Sequence, residues 1–329
     1  MSLPPADALK ELVDRFKLAQ AVYVAAELGL ADLLAGGPRP CDELAAETGT
    51  HPPTLYRLLR ALAAGGLFRE EANGVFSLAP LGGALRADAQ PSLRDWVLHV
   101  ARPLNWNTWS ALLDSVRTGE NAFVLVHGED TWSHRAARPG EQEAFDRGMA
   151  ALTRRLDAAL LEAYDFGRFG TVVDVGGGNG ALLSALLAAN PGMRGVLFDQ
   201  PHVVAGAQVG DRCETVGGDF FEAVPAGGDA YVLKSITHDW EDADVLRILR
   251  SCRRAAAPGA SLLIVERDLG RPNEDLEAKV SDLNMLVLPG GRERSEHEFA
   301  ELLGSAGFRY AGAVPVTGAF HLFEGVVAE

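Results

Sequence analysis

The segment TVVDVGGGNGALLSALLAANPGMRGVLFD constrains the fold of this chain more than any other. A β-forming run ends at Asp174–Val175. The chain then passes through Gly176, Gly177, Gly178, Asn179 and Gly180 into an Ala/Leu helix. Glycines between a buried strand and a helix N-terminus let the backbone approach a ligand closely, with the positive end of the helix dipole behind it. At the end of the next apolar run stands Asp199, where an acidic side chain can accept hydrogen bonds from ribose hydroxyls. Together these predict a nucleoside-containing cofactor at the carboxyl ends of neighbouring parallel strands.

Further β-rich runs continue the pattern. TVVDV (171–175), RGVLFD (194–199), DAYVLKS (229–235) and SLLIVER (261–267) alternate with helical stretches, which means βαβ units and a mostly parallel sheet. FRYAGAVPVTG and AFHLFEGVVA, joined around Thr317–Gly318, read as a closing antiparallel hairpin. Two cofactor classes fit this frame. Gly176-x-Gly178-x-x-Ala181 follows the dinucleotide fingerprint loosely, which keeps an NAD-dependent oxidoreductase open. Against it, a carboxylate at Asp174 repels a pyrophosphate but suits a ligand bearing an ammonium and a sulfonium. The antiparallel end of the sheet is also foreign to the all-parallel dinucleotide fold.

Before Thr153 the texture is helical, with apolar residues three and four apart. Within it, CDELAAETG and PPTLYRLLRALAAGG form two helices closed by glycines, and LFREEANGVFSLA forms a hairpin turning at Asn73–Gly74. Helix, turn, helix, wing is also a DNA-reading arrangement, so a winged-helix regulator has to be considered. Charge argues against it. The second helix offers Arg57 and Arg60, the wing carries Glu70 and Glu71, and the chain as a whole has a formal charge of −15. The expectation is a packing and dimerisation module, with no nucleic acid and no membrane as partner. The three cysteines (Cys41, Cys213, Cys252) have no paired spacing, no apolar run is long enough to span a bilayer, and the N-terminus has no signal-peptide pattern. A cytoplasmic location is the resulting expectation.

The run Asp174-x-Gly176-x-Gly178-x-Gly180 resembles motif I of class I S-adenosylmethionine-dependent methyltransferases. With the later segments GGDFFEAVP, VLKSITHDW, LLIVERD and PGGRERSEHEF, nearly the whole chain is similar to small-molecule O-methyltransferases of the caffeate, acetylserotonin and bacterial polyketide type. The resemblance implies a Rossmann-like α/β methyltransferase sheet with an antiparallel C-terminal strand, preceded by a mainly α-helical winged-helix dimerisation domain. The expected division is residues 1–100 for that helical domain and 101–329 for the catalytic domain, with linking helices over 101–165. It implies S-adenosyl-L-methionine as cofactor, with Asp174, Gly176, Gly178 and Asp199 at it, Asp219 and Phe220 flanking the adenine, and Lys234 as a further contact.

His238, in the same segment as Lys234, falls at the carboxyl end of a strand, where α/β enzymes keep their sites. Imidazole titrates nearest neutrality and suits removal of a phenolic proton. In the family the His-Asp pair at this place is the general base and its neighbour, here His238 and Asp239, and Glu266 and Glu293 fall where the family places carboxylates that orient the histidine. Read without the family, either glutamate is a surface charge, and Glu293 sits in a run of charges that looks solvated. Apolar acceptor contacts are expected from Trp106, Trp109, Phe145, Met149, Asn284 and Met285, between the helical domain and the sheet. The small aromatic acceptor expected is a phenolic polyketide or another natural product, and a homodimer is implied by the resemblance. Relatives of this fold that methylate carbon, or that turned to hydroxylation or pericyclic chemistry, are alternatives. His238, Asp239 and Glu293 could also assemble metal ligands, but His297 alone offers a second imidazole nearby, so no metal is expected.

Overall fold

The computed structural model describes residues 3–207 and 209–328. The chain forms two compact units. One runs up to Asn107 and takes in Arg135–Thr153, and the other comprises Thr108–His134 and the chain from Arg154 onward. The boundary expected at 100/101 therefore takes a different course, because residues 135–153 return to the first unit.

In the first unit a long helix, Pro5–Glu27, is followed by the winged element. Helices Cys41–Thr48 and Pro52–Ala64 carry Leu44, Leu55, Leu59 and Leu62 into the core, where they meet Phe68 and Phe76 of the wing. The wing has three strands, β1 (Arg39–Pro40), β2 (Phe68–Glu70) and β3 (Val75–Leu78), in the order β1-β3-β2. Sequence alone reveals the β2–β3 hairpin. Its turn places Asn73 at φ 62°, ψ 33° and Gly74 at φ 70°, the left-handed pair that an Asn-Gly turn favours. On the long N-terminal helix, Leu9, Leu12, Val13 and Phe16 recur at helical spacing and are at least half exposed. A helix whose apolar stripe is this exposed leaves most of that face uncovered.

The second unit is built on a seven-stranded sheet: β4 (Thr171–Val175), β5 (Arg194–Asp199), β6 (Cys213–Gly217), β7 (Ala230–Lys234), β8 (Ser261–Arg267), β9 (Arg309–Thr317) and β10 (Phe320–Val326). The order is β6-β5-β4-β7-β8-β10-β9. β6, β5, β4, β7 and β8 are parallel to one another, while β10 runs antiparallel to both β8 and β9. Central strands bury both faces, and β7 and β8 accordingly read as near-continuous apolar runs. Core clusters lie on both sides, one against helix Asp242–Ala255 through Val245, Ile248, Leu249 and Cys252, the other against Ala181–Ala189 through Leu182, Leu183, Leu186 and Leu187.

After β4 the chain builds outward to β5 and β6, then returns to the other side of β4 for β7. This reversal opens a crevice at the carboxyl ends of β4 and β7, the standard ligand position of an open α/β sheet. Among the described residues no helix is long and apolar enough to cross a membrane.

Candidate active site

The glycine loop follows β4 into this crevice. Gly176 takes φ +72°, and a Cβ there would lie 2.6 Å from Ile236 Cδ1 and 3.8 Å from Phe220 Cε1. A Cβ on Gly177 would lie 2.6 Å from Asp174 Cγ and Oδ2, so the loop rests directly on that carboxylate. Asp199, at the end of β5, holds the loop from the other side: Gly178 N donates to Oδ2 at 2.8 Å and Gln200 N to Oδ1 at 2.6 Å. Each oxygen keeps a lone pair for a ligand hydroxyl.

Asp174 is 2% exposed, and its Oδ2 is buried with no hydrogen-bond partner. Burial raises its pKa from 3.8 to about 7; the Lys234 charge opposes the rise, and Asp157 and Asp199 add to it. A buried carboxylate without a partner beneath a glycine cradle is what a cationic ligand would complete. Phe220 packs beside the same loop, its ring centroid 4.9 Å from Phe221 and 6.1 Å from Trp240. Asp219 accepts from Phe221 N at 2.8 Å and so caps its own turn, with the residue itself exposed. Lys234 Nζ donates to Asp157, a residue that sequence reasoning passed over. The positions expected to hold the cofactor thus gather at the carboxyl ends of β4, β5, β6 and β7, and the donors and acceptors present fit an adenosyl ligand with a positive charge.

The raised pKa of Asp174 has a consequence for stability. Its folded pKa lies above its unfolded value, so the folded protein favours the proton; stability falls as pH rises from about 4 to about 7 and stays lower above that. Asp174→Asn is expected to stabilise the unliganded protein by about 1–3 kcal/mol at pH 8 and to lose that advantage toward pH 4. Denaturant unfolding at both pH values reads the difference, and a gap of equal size at each refutes it.

His238 lies in a 3-10 turn, Thr237–Asp239, ahead of the helix Asp242–Ala255. The chain leaves β7 through Ser235, whose φ of 55° is uncommon for a side-chain-bearing residue. That kink aims three successive amides at Glu266 at the end of β8. Oε1 accepts from Ile236 N (2.9 Å), Thr237 N (2.7 Å), Thr237 Oγ1 (2.9 Å) and, more weakly, His238 N (3.3 Å). Oε2 is left facing His238 Nδ1 at 3.1 Å.

Glu293 Oε1 lies 3.4 Å from the same Nδ1; Ser281 Oγ donates to it at 2.7 Å, and Arg267 Nη1 stands 3.6 Å away. Neither carboxylate is aligned for a full hydrogen bond to Nδ1, so the contact is an ion pair. Glu293 is 1% exposed, which corrects the solvated appearance of its charged segment. The segment is brought in by Arg294, fully buried, which donates to Thr237 O, Trp240 O and Asp242 Oδ1. Gly291 allows the close approach.

Burial opposes a charge on His238, yet Glu266, Asp239 and Glu293 outweigh it and raise the imidazole pKa to about 10. Burial raises Glu266; in Glu293 the His238, Ser281 and Arg267 contacts overcome burial and lower it. With both carboxylates at Nδ1, the neutral imidazole keeps its proton there and presents Nε2 as the base. Asp239 Oδ1 is 3.7 Å from Nε2, too far for a hydrogen bond. Donor atoms of His238, Glu266 and Glu293 lie within 4.8 Å of one another.

Of the residues expected at the acceptor, Trp106, Phe145 and Met149 belong to the first unit and Trp109, Asn284 and Met285 to the second. Trp106 packs near Phe16 at 6.2 Å, and Phe145 has the Arg135 guanidinium 3.8 Å from its ring centre. Met285 is buried in helix Leu276–Val287, with Asn284 half-buried beside it.

Comparison with known proteins bears on this geometry. Residues 109–309 match the family profile of the O-methyltransferase domain, and residues 10–88 that of the O-methyltransferase dimerisation domain. The chain is 41% identical to a phenazine O-methyltransferase of Lysobacter antibioticus, over 98% of this chain and 96% of that one. It is 40% identical to an 8-amino-8-demethylriboflavin N,N-dimethyltransferase of Streptomyces davaonensis, over 94% of this chain and 91% of the other. Among solved structures, that of LaPhzM covers 99% of this chain and 100% of its own, with a TM-score of 0.93 at 41% identity.

Proposed function

Since the chain belongs to the S-adenosylmethionine-dependent O-methyltransferases, we propose that it methylates a hydroxyl of a small aromatic natural product, with His238 as general base. When bound, S-adenosylmethionine supplies a methyl group already activated on a sulfonium. Asp174, Gly176, Gly178, Asp199, Asp219, Phe220 and Lys234 hold it at the ends of β4 to β7. Glu266 and Glu293 fix the imidazole through Nδ1, Nε2 takes the acceptor's hydroxyl proton, and the new charge on His238 is stabilised between the two carboxylates. Asp239, at Nε2, favours the same imidazolium. Within the second unit, Trp109, Asn284 and Met285 supply apolar and amide contacts to the acceptor.

The observation that carries this reading is the half-buried imidazole with two buried carboxylates at one nitrogen. A nucleophile that must shed a proton, a phenol above all, needs such a base, whereas a neutral amine attacks through a free lone pair. Incubation with methyl-labelled S-adenosylmethionine and matched panels of phenols and aromatic amines tests it. Label is expected in the phenols, and label in amines alone would move the assignment to nitrogen.

The pH profile follows from the cluster. The folded pKa of His238 is raised from 6.5 to about 10, so the base form grows as pH rises toward that value. The ascending limb of kcat/KM is expected well above neutrality, and Glu266→Gln is expected to move it to lower pH. A limb that stays in place in the variant belongs to the acceptor's own hydroxyl, not to His238.

Of the exposed stripe, Leu12, Val13 and Phe16 fall at the start of the dimerisation profile and Leu9 just before it, and a second copy of the chain would cover them. Sedimentation is expected to read a dimer, converted toward monomer by Leu12→Glu with Phe16→Glu; a monomeric parent chain contradicts this.

A further inference from the structure

Asp157 takes part in none of the steps above. It lies near the end of helix Pro139–Ala163, in a stretch, LTRRLDAAL, that reads as a solvated face, yet it is 5% exposed. Its Oδ1 accepts from Lys234 Nζ, and both side chains are largely withdrawn from water. Around the end of β4, then, stand three carboxylates and one ammonium: Asp157, Asp174, Asp199 and Lys234. Asp157 and Lys234 act on Asp174 with opposite sign. Asp174 Oδ2 is buried without a partner, and Asp199 remains half-exposed at the end of β5. Pairing cancels Lys234 against Asp157, and the uncompensated charge of the crevice is that of Asp174 and Asp199.

Methyl donor and product differ in charge. S-adenosylmethionine carries a sulfonium, an ammonium and a carboxylate, hence one net positive charge. S-adenosylhomocysteine has lost the sulfonium charge and is a neutral zwitterion. We propose that Asp157 is a positioning residue that neutralises Lys234, so that the crevice prefers the cationic methyl donor to its neutral product. The inference rests on reading the ends of β4 to β7 as the cofactor site. A purely structural role, such as holding the helix against the sheet, would affect both ligands alike. A role through charge affects the cation alone.

Calorimetric titration of the full chain with S-adenosylmethionine and, separately, with S-adenosylhomocysteine reads the affinity ratio without turnover. In Asp157→Asn the ratio is expected to shift about tenfold toward S-adenosylhomocysteine, the scale of one uncancelled charge at a partly buried site. Asp157→Glu is expected to retain the parental ratio. Lys234→Met, which leaves the carboxylate uncancelled, is expected to shift the ratio the opposite way, and it keeps the test open should Asp157→Asn fail to fold. An unchanged ratio in both charge-removing variants, with equal weakening of the two ligands, overturns the inference. If the parent chain binds neither ligand, it is the cofactor-site reading itself that falls.

Discussion

His238→Ala is expected to lower kcat by about 10²-fold or more while S-adenosylmethionine still binds. The two halves of that result have separate structural grounds. The imidazole is the titratable group that two buried carboxylates hold by one nitrogen, which leaves the other for the acceptor. The glycine loop, the proposed cofactor cradle, rests on Asp174 and Asp199. The loss should also narrow at high pH, because an acceptor whose hydroxyl is already ionised no longer needs a base. Steady-state rates across pH, with calorimetric binding on the same preparation, check all three features. Near-normal turnover at neutral pH would leave orientation as the whole of the catalysis.

The second large effect is expected from a residue that has no titratable group of its own. Gly291→Ala places a Cβ 2.2 Å from His238 O, 2.3 Å from Asp239 C and 2.4 Å from Trp240 N. These are backbone atoms, so no side chain can swing aside. The segment must move, and with it Glu293 and Arg294. Overpacking of this kind costs about 3 kcal/mol, and the displaced Arg294 gives up its bonds to Thr237 O and Trp240 O. Activity is expected to fall by roughly 10²-fold, since the histidine loses one orienting carboxylate and the turn that carries it loosens. Thermal unfolding and kcat on one sample read both losses. A variant with parental stability and rate would show that the 289–294 segment can shift without consequence for His238.

Much of this architecture was legible in the sequence, for physical reasons. β4, β5, β7 and β8 are buried strands, and burial writes itself as continuous Val, Leu and Ile. β6 escaped notice because it is an edge strand, and CETVG, with two exposed side chains in mid-run, carries no apolar signal. The glycine loop and Asp199 were readable from spacing. The pairing around His238 was not. Glu293 and Arg294 lie in GRERSEHE, where composition alone predicts a solvated face, and their burial follows from Arg294 finding carbonyls that only the folded 237–242 turn presents. It took the family resemblance to single out Glu293; nothing singled out Arg294. Asp157 was hidden similarly, beside two arginines on a helix whose charged pattern gives no hint of a buried partner. Burying opposite charges together leaves no periodic trace, because each residue type is the one expected outside.

The contrast between the two glutamates at His238 bears on how such an enzyme could be retuned. Glu266 is welded to the main chain: one of its oxygens gathers amides from consecutive residues, so a replacement that cannot accept them disturbs the geometry it was meant to adjust. Glu293 receives a serine hydroxyl and stands near a guanidinium, partners on other segments that can be exchanged one at a time. Engineers seeking a catalyst for a less acidic hydroxyl should therefore leave the first carboxylate alone and vary Ser281 and Arg267, the two dials on the charge of Glu293 and, through it, on the base.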